Sequence, residues 1–158
     1  MEHKSLAVAQ CILDRCRVKD ISHVTPIKLL KLLYISHGYM LGKHGTPLLE
    51  EPIRAFQYGP IVKSVYDQVR KYRSSNIPSI KVSKSYKELI SDVEIKILDN
   101  VISIYGNANP IQLSAAMHNE KTPWGMSRKI SENNPIISND YIQYFYKELI
   151  NSKTHSYL

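Results

Sequence analysis

Apolar residues recur at helical spacing along most of this chain, and one stretch breaks that rhythm by being apolar almost all the way round. Residues 5–17 place Leu6, Ala9, Ile12, Leu13 and Cys16 on one face, the pattern of an ordinary amphipathic helix. From residue 26 to 41 or 42, Leu29, Leu30, Leu32, Leu33, Tyr34 and Ile35, with Ile27, Tyr39, Met40 and Leu41, cover most of the circumference. Thr25 stands where an N-cap belongs and Pro26 where a first helical residue belongs. A helix with so little polar surface is predicted to lie at the centre of the fold, with Leu33 fully buried.

Gly42, Gly45 and Pro47 then interrupt the helical period. Leu48-Leu49 and residues 53–57 read as two short strands of a hairpin, separated by Glu50-Glu51-Pro52. Gly59 supplies backbone freedom and Pro60 a preset φ, so this pair predicts a sharp corner into a third helix bearing Ile61, Val62, Val65, Tyr66 and Val69 and ending near Arg73. Residues 74–78 read as a loop and 80–82 as a third, edge-like strand. Ser91 followed by Glu94 is a capping-box signature, opening a helix with Ile97, Leu98, Val101, Ile104 and Tyr105 inward and stopping at Gly106. Asn109-Pro110 starts a short helix with Leu113, Ala116 and Met117, and Trp124 opens another that reaches residue 129. Ser138 or Asn139 caps a last helix with Ile142, Phe145, Tyr146 and Leu149 on one face. The prediction is a mainly α fold: a compact bundle of about six or seven helices around a central apolar helix, with a small β-hairpin. Residues 1–150 are expected to form one domain and 151–158 a polar C-terminal tail.

A chain of 158 residues has room for one core. No apolar run approaches the ~20 residues of a membrane span, and the N-terminus does not read as a secretory segment, so a cytoplasmic protein is expected. Cys11 and Cys16, five residues apart on a helix, point about 140° away from each other and read as buried thiols in a reducing compartment. The net charge of +7 favours an acidic partner. Between Lys63 and Lys87 lie Arg70, Lys71, Arg73, Lys81 and Lys84, with Asp67 as the only acid. That concentration reads either as a solvated helix end or as a binding patch.

Nothing in the spacing suggests catalysis. There is no phosphate-cradling glycine loop, no G-x-S-x-G and no H-E-x-x-H, and no metal or cofactor is expected. Glu50 and Glu51, being adjacent, would face opposite sides of a strand and read as solvated. His37, on the central helix, reads as a hydrogen-bonded core or boundary histidine, and His118 as a helix-end carbonyl cap. Trp124 reads as a core plug or lid. Eleven tyrosines against two phenylalanines point to contact surfaces, because tyrosine combines area with a polar handle. Tyr34, Tyr39 and Tyr105 are assigned to the core, whereas Tyr58, Tyr66, Tyr72 and Tyr86 are expected to be exposed.

Four blocks carry a resemblance to a known family: the LLKLLY…HGY run over residues 29–39, the turn Gly45-Thr46-Pro47-Leu48, the run Arg54-Ala55-Phe56-Gln57-Tyr58-Gly59-Pro60-Ile61, and His118 followed by Pro123-Trp124. Together they resemble the Panacea antitoxin-domain family of bacterial and phage proteins, also called SocA-like. Phe56 and Tyr39 stand where that family usually has Trp. The resemblance implies an antitoxin that neutralises a cognate toxin by direct protein binding; members often carry a further N-terminal DNA-binding region, for which this chain is expected to have no room. Two other readings stay open: a nucleic-acid-binding protein using the segment from Lys63 to Lys87, and an adaptor delivering a bound partner to a protease. The residues put forward for partner contact are Arg54, Tyr58 and Tyr66, around the hairpin, with Arg70 and Lys71 next.

Overall fold

A computed structural model describes residues 4–82, 86–109, 113, 117 and 119–152. The elements are α1 (Lys4–Val18), α2 (Pro26–His44), β1 (Ile53–Phe56), β2 (Gly59–Val62), α3 (Lys63–Val69) with a 3-10 turn (Arg70–Tyr72), α4 (Tyr86–Leu89), α5 (Asp92–Tyr105), α6 (Pro123–Ile130) and α7 (Asn139–Asn151). The fold is mainly α with one small antiparallel hairpin, as the periodicity predicts.

Helix α2 is the hub, packing against α1, α3, α5, α7 and β2. Its burial is continuous around the circumference from Lys28 to Leu41. The Thr25 side chain accepts from the Lys28 N–H, and Gly45, at φ 73°, closes the C-terminus by donating to the Leu41 carbonyl at 2.9 Å. Gly38 and Gly42, four residues apart, let α7 come close: a Cβ on Gly38 would stand 2.3 Å from the Tyr146 ring, and one on Gly42 2.8 Å from the Lys147 backbone nitrogen. Tyr146 packs there against Tyr34 and Tyr39, and the Tyr39 and Tyr105 hydroxyls share a 2.8 Å hydrogen bond inside the core. The Ser91–Glu94 capping box at the head of α5 is formed in both directions.

The hairpin differs from its predicted form. Leu48 and Leu49 are buried but form no strand, since the Leu49 N–H is taken by His37 Nδ1 at 3.1 Å. Instead β1 pairs with β2 in the register Ile53 with Val62, Arg54 with Ile61, Ala55 with Pro60, and Phe56 with Gly59. Gly59-Pro60 is therefore strand, not a corner. Gly59 adopts φ 129° where the two-residue turn Gln57-Tyr58 closes, and Pro60, having no N–H, suits a strand at a sheet edge. Helix α3 consequently begins at Lys63 rather than at Ile61. The Glu51 carboxylate accepts from both the backbone N–H and the hydroxyl of Ser64 in the first turn of α3, so this acid is engaged and not merely solvated.

Residues 80–82 form no strand either. The Ile77 N–H bonds the Val24 carbonyl and the Ile80 N–H the Gln10 side chain, tying that segment to the helices. The third strand-like partner comes from far along the chain: Ala55 donates to the Pro135 carbonyl and Ile137 to the Ile53 carbonyl, both at 2.8 Å, with Arg54 opposite Ile136. Leu113 and Met117 are helical and buried, as the pattern predicts. Pro110, Ala116 and His118 lie outside the described residues, as do Lys84, the side chain of Lys87, and the tail from residue 153.

Candidate partner-binding groove

Three neighbouring pieces leave a groove between them: the first turns of α2, the turn of the hairpin, and the end of α3 with its 3-10 turn. Its volume is about 270 Å³. Helical spacing brings Ile27, Leu30 and Lys31 of α2 to one wall, since residues three and four apart share a face. Phe56 and Tyr66 form the opposite wall, with ring centroids 6.4 Å apart. Tyr58 stands at the rim on the two-residue turn and is 74% exposed. The Arg70 guanidinium lies 5.8 Å from the centre of the Tyr66 ring, a cation–π arrangement that leaves its charge facing solvent. Arg73 completes the rim from a backbone at φ 52°.

Of the residues put forward from sequence, Tyr58, Tyr66 and Arg70 meet at this groove. Arg54 and Lys71 do not line it. Arg54 donates from Nη1 to the Asn134 carbonyl at 3.1 Å and borders a separate shallow cleft beside Glu51, Lys63 and Asp67. Lys71 lies over the Tyr72 ring at 5.3 Å. The outer edge of β1 is occupied by residues 135–137, which leaves it closed to another backbone. Tyr58 is exposed as expected, but Tyr66, Tyr72 and Tyr86 are half-buried against the core, and Tyr144 of α7 is the other strongly exposed tyrosine among the described residues. Thr25 and Pro26 set the start of α2 and thereby the position of Ile27 and Lys31.

The sequence reading missed Lys31. Only 3% of its surface is exposed, and burial pushes its ammonium below the usual lysine range. A lysine inside a helix apolar nearly all round was the available signal. Trp124 of α6 donates from Nε1 to the Phe56 carbonyl at 2.7 Å, and Arg128 donates to the Ala55 carbonyl at 3.0 Å, fixing the backbone of β1. His37 bridges two distant segments. Its Nδ1 accepts from the Leu49 N–H, so the proton sits on Nε2, which donates to Asn139 Oδ1 at 3.0 Å, and desolvation lowers its basicity.

Cys11 and Cys16 are free and buried, and burial pushes the Cys11 thiol up to about 11. Among the described residues no cluster of three or more His, Cys, Asp or Glu is placed to hold a metal ion, and no helix is long and apolar enough to cross a membrane.

A mainly helical body presenting an apolar, cation-rimmed groove defines this chain in structural terms. In sequence it belongs to the SocA-like antitoxin family, the Panacea domain, whose profile matches residues 29–125. It is similar to the protein named Antitoxin SocA from Caulobacter vibrioides (strain NA1000 / CB15N), with 28% identity over 130 residues. That match covers 75% of this chain and 66% of the relative's own length. No solved structure matches the chain.

Proposed function

We propose that this protein is an antitoxin that neutralises a toxin by binding it directly, and that the toxin docks on the groove beside the hairpin. Family membership supports the antitoxin role. The observation that carries the docking site is Tyr58: a large side chain, 74% exposed, held on a tight turn whose strands are clamped by α6 and by residues 135–137. Exposed aromatic area that is already ordered loses little conformational freedom on binding, which is how a few residues come to dominate an interface. Tyr66 and Arg70 extend the same surface, whereas Arg54 serves to join the hairpin to the loop before α7.

The test is co-expression with the product of the adjoining reading frame, followed by calorimetry on the purified pair. Wild type should restore growth and bind. Tyr58→Ala or Arg70→Ala should weaken binding by at least ~1–2 kcal/mol while shifting the thermal midpoint by only a few degrees. Unchanged affinity in both variants would move the docking surface elsewhere, with the apolar face of α6 and α7 around Met126 and Tyr144 as the next candidate.

A further inference from the structure

Every residue lining the groove is apolar, aromatic or cationic. The acids that form ion pairs among the described residues serve other cations: Glu94 pairs with Lys4, Asp99 with Arg15, Asp14 with Arg17, Asp67 with Lys63 and Glu120 with Lys129. Lys31 has no such partner and no hydrogen-bond acceptor among the described residues, although only 3% of its surface is exposed. Among the described residues its Nζ is not one of the buried polar atoms that lack a partner, so the ammonium at the end of this buried stem keeps contact with water, and the residue lines the groove. A cation with no acid beside it on the wall of an apolar groove favours a ligand that brings its own counter-charge.

Building on the antitoxin reading, we propose that the groove takes an acidic–apolar segment of the partner protein, with an Asp or Glu carboxylate seated on the Lys31 ammonium and a neighbouring apolar side chain against Ile27, Phe56 and Tyr58. Arg70 and Arg73 at the rim attract the same segment by charge. The groove's size fits this occupant: about 270 Å³ lies below the usual range for a whole small-molecule ligand and suits a few side chains of a peptide. A nucleic-acid backbone fits less well, because its phosphates bring no apolar side chain to cover Ile27, Leu30 and Phe56. Charge complementarity thus favours an acidic protein segment.

A display library of random dodecapeptides, selected on the wild-type protein, tests this without any toxin. Enriched peptides should carry Asp or Glu beside an apolar residue. Their affinity should fall about tenfold or more for Lys31→Met and for Tyr58→Ala. The Lys31→Met thermal midpoint should stay level or rise, since the substitution removes no ion pair or hydrogen bond and keeps an unbranched stem of similar volume. Four results would overturn the proposal: no enrichment, enriched peptides lacking an acid, equal binding by Lys31→Met, or a marked fall of its midpoint, which would make Lys31 structural. Two further results would also overturn it by naming another occupant. One is oligonucleotide binding at about 150 mM salt that Lys31→Met abolishes. The other is a wild-type dimer in sedimentation that Lys31→Met dissolves. Because the selection contains no toxin, it stands or falls separately from growth rescue: rescue by wild type with non-acidic peptides would sink this inference alone, and acidic peptides without rescue would sink the antitoxin reading alone.

Discussion

His37 carries two jobs with one ring, holding the Leu49 N–H on Nδ1 and the Asn139 side chain on Nε2. Protonating Nδ1 would break the first bond in a site that is 1% exposed. Its folded-state pKa is therefore below the unfolded value of about 6.5, so the unfolded chain binds the proton first as pH falls. The stabilisation is fully present above about pH 6.5 and declines below it. Urea denaturation at neutral and mildly acidic pH should show that decline, and His37→Ala should lower stability at neutral pH by about 1–3 kcal/mol while flattening this part of the profile. A profile identical in the two proteins would show that the ring contributes no linkage. Leu33, at 0% exposure on the same helix, makes no polar contact and acts by volume alone. Leu33→Ala should cost about 2–5 kcal/mol in the same assay. A loss under ~1 kcal/mol would contradict its central packing.

Among elements, α2 and α7 approach closely where Gly38 and Gly42 receive Tyr146 and the adjoining backbone. Gly38→Ala gains helix propensity but drives a Cβ into the Tyr146 ring. Overpacking should win, with a net loss of about 1–3 kcal/mol and weakened docking of α7, measurable as faster amide exchange along that helix. An unchanged or raised thermal midpoint would mean that α7 slides to accommodate the methyl group. The hairpin obeys a different logic. Its own ladder spans four residue pairs, and α6 and residues 135–137 hold β1 in place by bonds to the backbone of Ile53, Ala55 and Phe56. A tyrosine on its turn is thus presented on a supported platform.

For the whole molecule the question is what a net charge of +7 does. The cations Arg70 and Lys71 are exposed but each lies over a tyrosine ring, and Arg73 borders an apolar groove, so they form a mixed surface and not a continuous basic track. Duplex DNA should bind weakly and with steep salt dependence, because the affinity comes only from displaced counterions. Micromolar or tighter duplex binding near 150 mM salt, abolished by Arg70→Ala with Lys71→Ala, would instead favour a nucleic-acid function.

The helices and their caps were legible in the sequence because their determinants are local. Thr25-Pro26, Ser91 with Glu94, and Ser138 each act within one turn, and the all-round apolarity of α2 requires burial wherever the chain goes. Tyr58, on a two-residue turn, was legible as exposed for the same local reason. The hairpin register was not. Leu48-Leu49 and the run from Gly59 to Val62 are equally apolar, and only contact with His37 and with residues 135–137 decides which of them pairs with β1. The hydrogen bond of Arg54 was not legible for a related reason, since its carbonyl partner lies 80 positions away. Lys31 shows the limit most clearly: its place in the helix follows from periodicity, but whether an acid lies beside it depends on which distant segments fold against α2. The sequence by itself determined the elements and the central helix, through interactions within a few residues. Tertiary structure alone decided the sheet partners, the hydrogen bond of Arg54 and the groove wall on which Lys31 has no acid beside it, because those depend on groups brought together from distant parts of the chain.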